Sequence, residues 1–163
     1  MSKKKHEGKT GNGFSMREEL IELIIERLER DLGPIRAEFT SERPVKTKYC
    51  AIDDLLPADI AQRISDAFPD SGQMRLLDSF REKKYTSKSL DQFDPLIADI
   101  TFAFQDKRVI DKVAALTGIK DAVGDPHLYA GGISAMERGH FLNPHLDNSH
   151  DGEQTNYRVL NLL

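Results

Sequence analysis

Residues 143–152 read NPHLDNSHDG and combine two histidines and two aspartates with turn-forming residues. The composition of residues 142–147 predicts a strand, in which successive side chains point to opposite faces of a sheet. His145 and Asp147 are therefore expected to project together, while Leu146 points away. An imidazole nitrogen and a carboxylate oxygen on one face are two ligands of the 2-His-1-carboxylate triad that holds non-haem Fe(II). The stretch predicts part of an iron site.

By itself the H-x-D pattern is weakly specific, and a pair of solvated turn residues is the plain alternative. Its surroundings make it more specific. Read together as LYAGG…NPHLDNSHDG…YRVLNLL, residues 128–163 resemble the start of the catalytic jelly roll of Fe(II)/2-oxoglutarate-dependent dioxygenases, in their prolyl-hydroxylase-like branch. The stretch DDLLPADIAQRISDAF at residues 53–68 resembles the N-terminal support of that branch, so the resemblance extends from about residue 45 to residue 163.

The resemblance implies roles for individual residues. In that family an H-x-D pair binds iron, which assigns His145 and Asp147 as metal ligands and as the catalytic centre. A tyrosine in a Y-x-x-G setting on the preceding strand contacts the co-substrate, and Tyr129 with Gly132 matches it. The separation between Tyr129 and His145, sixteen residues, is longer than the branch leads us to expect.

The resemblance also assigns two residues nearer the C-terminus. An arginine near the start of the next strand contacts the substrate in some members of the family, and Arg158 occupies a comparable place. Asn161, on the same segment, is assigned to the barrel interior as a co-substrate-binding residue. An exposed arginine and an edge asparagine are the alternatives for this pair.

Two parts of the family's site have no counterpart among these residues. The family completes its triad with a distal histidine, followed by an arginine or lysine that pairs with the far carboxylate of 2-oxoglutarate. We interpret the chain as ending before both, so the chain alone is expected to be inactive. Ligand geometry makes His140 and His150 poor substitutes, because His140 lies in a loop beside Gly139 and His150 lies across a turn from Asp147.

The implied activity is hydroxylation of an unactivated C–H bond, with Fe(II) as cofactor, 2-oxoglutarate and O₂ as co-substrates and ascorbate as reductant. By analogy, the substrate is a prolyl residue or a proline-like small molecule. Two other classes stay open. One is a non-catalytic relative that binds a partner through its helical face. The other is a metal-dependent hydrolase that uses His145, Asp147 and His150, holds zinc and needs no 2-oxoglutarate.

Length and composition limit the alternatives. With 163 residues the chain is long enough for one domain. The formal net charge of −4 divides into +3 on residues 1–15 and −7 on the remainder, so we expect no nucleic-acid partner. We interpret residues 1–15 as a disordered basic tail and residues 16–163 as a single domain.

The sequence has no apolar run that approaches a membrane span or a signal peptide, and Cys50 is its only cysteine. A cytoplasmic protein is therefore expected.

Hydrophobic periodicity predicts helices followed by short strands, an α+β fold. The resemblance implies that the strands belong to a double-stranded β-helix (jelly roll), which the N-terminal helices support and which is incomplete at its C-terminus. Ser15 and Glu18 form a capping box before a helix at residues 16–32, which Gly33-Pro34 is expected to end. Further helices are predicted after Leu56-Pro57, after Asp94-Pro95 and before Gly118. Strands are predicted at residues 45–52, 127–136, 142–147 and 156–163, and an exposed loop or irregular edge at residues 81–88.

Overall fold

The computed structural model describes residues 15–129 and 131–162. Within these ranges five α-helices accompany an open antiparallel sheet of four strands, which confirms the predicted α+β class. The helices are α1 (Met16–Arg30), α2 (Leu32–Thr40), α3 (Ala58–Ala67), α4 (Pro95–Ala103) and α5 (Lys107–Thr117), and the strands are β1 (Arg75–Asp78), β2 (Glu82–Ser87), β3 (Ile133–Ala135) and β4 (Phe141–Leu142).

Helix α1 begins as predicted, because the Ser15 side chain accepts a hydrogen bond from the backbone N–H of Glu18. The expected end of the helical region at Gly33-Pro34 is wrong. A second helix, α2, starts at Leu32 and carries Gly33 and Pro34 in its first turn. Proline is tolerated there, because the backbone N–H groups of a first turn have no partner within the helix.

The main hydrophobic core lies between α1 and the two later helices α4 and α5. Their boundaries follow the predicted signals: Asp94 caps α4 by accepting from the N–H of Leu96 at 2.9 Å, and Gly118 ends α5 with φ of 77°. Because the apolar stripe of α1 faces these helices, it is core rather than a surface for a partner. The buried members of this core are Leu20, Ile21, Ile24, Leu28, Ile35, Phe39, Ile60, Ala103, Val109 and Leu116.

The predicted strand at residues 45–52 is wrong, since this segment has bends and irregular backbone. Its β-type side chains find other neighbours. The guanidinium of Arg43 lies over the Tyr49 ring, 3.9 Å from the ring centroid, and Cys50 packs against the helical core. Strand propensity reflects packing against paired strands, and no strand lies beside this segment within the described residues.

The predicted exposed loop at residues 81–88 is also wrong, because these residues contain β2, the central strand of the sheet. Strand β1 pairs with one edge of β2, and β3 and β4 follow one another along the other edge. The basic composition is compatible with a strand because the charges are paired locally. Lys83 Nζ lies 2.8 Å from Asp78 on β1, and Lys84 Nζ lies 2.8 Å from Glu82 on β2.

The C-terminal region forms shorter strands than predicted. Of residues 127–129 and 131–136 only β3 is a strand, and β4 ends at Leu142, before Pro144, which cannot donate a ladder hydrogen bond. His145 and Asp147 therefore lie beyond β4 rather than inside a strand. Of the predicted strand at residues 156–163, the described part forms only an isolated bridge between Tyr157 and His150.

Two predictions concern residues at the limits of the described ranges. Residues 1–14 of the predicted tail lie outside the described residues, as does Leu163, whereas Ser15 belongs to the domain as the N-cap of α1. Among the helices of residues 15–129 and 131–162, none combines the length and the apolar character needed to cross a membrane.

Candidate functional site

His145 is held on both sides of its ring. Nδ1 lies 2.7 Å from the backbone carbonyl oxygen of Asn143, and Nε2 lies 3.2 Å from Oδ1 of Asp147. A carbonyl oxygen can only accept, so Nδ1 is the nitrogen that carries a proton and donates to Asn143. In the neutral imidazole Nε2 is then left with its lone pair directed at the Asp147 carboxylate.

The two oxygens of Asp147 have different neighbours. Oδ2 accepts a hydrogen bond from Asn161 Nδ2 at 2.8 Å and lies 3.2 Å from Arg158 Nη1, whereas Oδ1 faces His145. The pKa of Asp147 is lowered, chiefly by the Asn161 hydrogen bond and further by the charge of Arg158. The carboxylate is therefore ionised in ordinary buffers, as a metal ligand must be.

A turn in the chain carries Arg158 and Asn161 back to this carboxylate. The backbone N–H of Arg158 donates to the carbonyl of Ser149 at 2.9 Å, next to the bridge between His150 and Tyr157. Asp151 organises the turn between them, since its side chain accepts from the N–H of Thr155 and from the Asn156 amide, both at 2.8 Å.

These bonds to Asn156 and Thr155 lower the pKa of the Asp151 carboxyl far below its ordinary value. Asp151 therefore keeps its charge, and with it the turn, in mildly acidic solution. Asp151, the second aspartate of NPHLDNSHDG, therefore stabilises the turn, whereas Asp147 faces His145.

Tyr129 contacts the same turn from its other side. A Cβ atom added to Gly152 would lie 3.2 Å from the Tyr129 ring, so the ring rests on the glycine backbone. Lys88 donates from Nζ to the Tyr129 carbonyl oxygen and lies 5.1 Å from the ring centroid. These contacts place Tyr129 near the turn after His145 and Asp147; its predicted contact with the co-substrate stays a prediction.

The other two histidines near the site, His150 and His140, contact other neighbours than Asp147. The His150 ring packs on Tyr157 with 4.1 Å between ring centroids, and its Nδ1 lies 2.8 Å from the Ser149 hydroxyl. The His140 ring lies 5.2 Å from that of Tyr85, and its buried Nδ1 has no hydrogen-bond partner among the described residues. Across residues 15–129 and 131–162, no group of three metal-ligating side chains comes together. His145 and Asp147 are therefore a pair of candidate ligands without a described third.

Sequence reasoning missed Asn143. Its backbone N–H donates to the carbonyl of Arg81 at 2.9 Å, and its side-chain Nδ2 donates to the carbonyl of Phe80 at 2.7 Å. Both partners lie on the turn between β1 and β2, far away in the sequence. An asparagine before a proline reads as a turn residue, and nothing local in the sequence signals this contact.

Comparison of the chain with protein-family models, with curated proteins and with solved structures finds no match. The Asp147 side chain is 42 % exposed and that of His145 is 22 % exposed, so a small ligand can reach both from solvent.

Proposed function

We propose that this protein is an Fe(II)- and 2-oxoglutarate-dependent dioxygenase that hydroxylates a C–H bond, with His145 and Asp147 as iron ligands. The observation that carries the proposal is the pairing of Nε2 of His145 with Oδ1 of Asp147 at 3.2 Å, while Nδ1 is committed to the Asn143 carbonyl. With a neutral ring, two lone-pair-bearing atoms face each other. A cation between them is the arrangement that such a pair favours, whether it is a proton or a metal ion.

The spacing of these two donor atoms fits two neighbouring positions around one metal ion. Metal–nitrogen and metal–oxygen bonds of about 2.1 Å at a right angle place the donor atoms about 3.0 Å apart. The measured separation of 3.2 Å is close to that value. A nitrogen and a carboxylate oxygen also suit Fe(II) and leave further positions for other ligands, as the facial triad does.

Asn161 and Arg158 support this arrangement from behind the carboxylate. Because both contact Oδ2, they leave Oδ1 directed at His145 and fix the rotation of the carboxyl group. Partners of this kind orient metal ligands and tune their affinity for the ion. The planar, charged guanidinium of Arg158 is also of the kind that binds a carboxylate or peptide carbonyl of a substrate.

Bound at this pair, Fe(II) would supply the redox chemistry by which 2-oxoglutarate and O₂ hydroxylate a C–H bond, with ascorbate as reductant. The chain's residues hold the ion and bind the organic molecules. We assign the co-substrate to the side of the site with Tyr129 and Asn161, and the prime substrate to Arg158. The substrate class, a prolyl residue or a proline-like small molecule, and a jelly-roll arrangement of β1–β4 and the following segments belong to the same proposal and rest on the sequence resemblance.

Calorimetric titration with Mn(II), a redox-stable substitute for Fe(II), tests the assignment. We expect His145→Ala and Asp147→Ala to weaken binding at least about tenfold, since each removes a direct ligand. His127→Ala and Asp91→Ala are matched controls, because both residues are exposed and neither lies in the 143–161 region. Equal affinity in all four variants and the wild type would overturn the metal assignment.

The class of enzyme needs a second titration, of 2-oxoglutarate into the protein with and without Mn(II). We expect 2-oxoglutarate binding that depends on the metal and is lost in Asp147→Ala. Preference for Zn(II) and indifference to 2-oxoglutarate would favour the hydrolase alternative instead. Absence of metal binding would favour the non-catalytic binding module.

A further inference from the structure

Asn143 joins the histidine to a distant turn through three hydrogen bonds. Its backbone N–H and its side-chain amide donate to the carbonyls of Arg81 and Phe80, at 2.9 Å and 2.7 Å. Its own carbonyl oxygen lies 2.7 Å from Nδ1 of His145. The two hydrogen bonds that Asn143 donates therefore orient its own carbonyl group, which is the acceptor for His145.

The turn that anchors Asn143 is itself well braced. The Ser79 N–H donates to the carbonyl of Glu82 at 2.9 Å, and the Ser79 hydroxyl accepts from the N–H groups of Arg81 and Glu82 at 3.2 Å and 3.3 Å. On the other side, Pro144 restricts the backbone of the preceding Asn143 to extended conformations. The Asn143 carbonyl is held from both directions.

A fixed acceptor at this place selects one tautomer of the imidazole. A nitrogen and a carbonyl oxygen 2.7 Å apart need a hydrogen between them, since two acceptors repel at that distance. Asp147 Oδ1, 3.2 Å from Nε2, is the more distant acceptor, so the carbonyl at 2.7 Å keeps the proton of the neutral ring on Nδ1. An imidazole in water prefers the opposite tautomer, with the proton on Nε2, so the preference has to be imposed by a neighbour.

We propose that Asn143 is a positioning residue that holds His145 in the Nδ1–H tautomer and thereby keeps Nε2 available for a metal ion; this inference rests on the proposed function. The turn between β1 and β2 would then take part in the site without contacting the metal. Loss of the Asn143 side chain leaves only the backbone bond to Arg81 to anchor this residue. The carbonyl is then held less firmly, and the ring can rotate or change tautomer. Outer partners of metal-bound histidines commonly account for about tenfold to hundredfold in affinity.

Imidazole nitrogen shifts in NMR spectra of the metal-free protein, under conditions where the His145 ring is neutral, read the tautomer directly. We expect the wild type to show a protonated Nδ1 and an unprotonated Nε2. Asn143→Ala should raise the share of the Nε2–H form, and Asn143→Gln, which keeps an amide donor, should restore part of the wild-type pattern. Asn148→Ala is the matched control, an exposed asparagine of the same segment.

The same variants are then titrated with Mn(II). Asn143→Ala should bind about tenfold more weakly than the wild type, with Asn148→Ala unchanged. A wild-type ring protonated on Nε2, or an Asn143→Ala protein with wild-type tautomer and affinity, would overturn the inference. A wild type that binds no Mn(II) would overturn the proposed function instead, and the tautomer of the metal-free ring would still decide whether Asn143 controls it.

Discussion

Asn161 donates a hydrogen bond from Nδ2 to Oδ2 of Asp147 at 2.8 Å, although the two residues are 14 positions apart. The bond forms because the turn organised by Asp151 folds residues 157–161 back along residues 145–150. The bond occupies Oδ2 of Asp147 and leaves Oδ1 for His145. The carboxylate is therefore oriented before any ligand arrives, and this orientation is the kind of preorganisation that a metal site needs.

Asn161→Ala is expected to weaken Mn(II) binding by about tenfold, because the Asp147 carboxyl group loses its main orienting partner. It should also raise the pKa of Asp147, since the Asn161 hydrogen bond is the largest cause that lowers it. Calorimetry measures the affinity, and the side-chain carbon shift of Asp147 measures its titration. The titration of Asp151, whose partners are Thr155 and Asn156, is an internal control and should stay the same. An unchanged Asp147 titration would refute the role given to Asn161.

Arg158→Ala is expected to weaken binding of a prolyl-peptide substrate more than it weakens Mn(II) binding, because Asn161 still orients the Asp147 carboxyl group. A planar, charged guanidinium suits a substrate carboxylate or carbonyl. Calorimetric titrations with the peptide and with Mn(II) separate the two effects, and Arg158→Lys tests whether charge alone suffices. If Mn(II) affinity falls as steeply as peptide affinity, Arg158 serves the ion.

The ion pairs of Arg108 should make the free energy of unfolding depend on pH. Its guanidinium binds Glu18 of α1 at 2.5 Å and 2.9 Å and Asp106 at 2.9 Å, and these contacts lower the pKa of both carboxyls. Because the folded-state pKa is lowered, the stabilisation is present above the ordinary values of 4.5 and 3.8. It is lost as the pH falls through the lowered folded values.

Urea denaturation of Arg108→Gln should therefore show a loss of stability at neutral pH that shrinks on acidification. Arg63→Gln, a substitution of an exposed arginine on α3, is the control and should show a smaller loss. A destabilisation of Arg108→Gln that stays constant from neutral to strongly acidic pH would contradict the proposed ion pairs.

Ile24→Ala is expected to lower the free energy of unfolding by about 2–5 kcal/mol, because it leaves a cavity in the centre of the helical core. Ile24 is 1 % exposed and belongs to the cluster that α1 forms with the later helices. Glu26→Ala, on the exposed face of the same helix, should change stability by no more than about 0.5 kcal/mol. Similar losses in both variants would mean that α1 packs differently.

The helical part of the fold could be predicted from the sequence because its signals are local. The Ser15 cap, the Asp94 cap and the left-handed Gly118 each depend on a few neighbouring residues, and the structure has all three. The sheet could not be predicted in the same way. A strand needs a partner from elsewhere in the chain, so residues 45–52 looked like a strand without being one, and the basic β2 looked like a loop.

In the candidate site, too, local features could be predicted and contacts between distant segments could not. The convergence of His145 and Asp147 was predicted from their spacing, although the strand invoked to explain it ends at Leu142. Contacts of Asn143 with Phe80 and Arg81 join segments that only the folded chain brings together. Short-range chemistry can be read from a sequence, whereas the neighbours that orient it depend on tertiary structure.

The most direct test of the central claim is to locate a bound ion. Mn(II) broadens NMR signals of nearby nuclei, so a titration of isotope-labelled protein shows where the metal lies. We expect broadening to begin at His145 and Asp147, to extend next to Asn161, and to spare His127 and Asp91. Broadening that is centred elsewhere, for example on Asp151 and His150, or that is spread evenly over exposed carboxylates, would contradict the assignment of His145 and Asp147 as metal ligands.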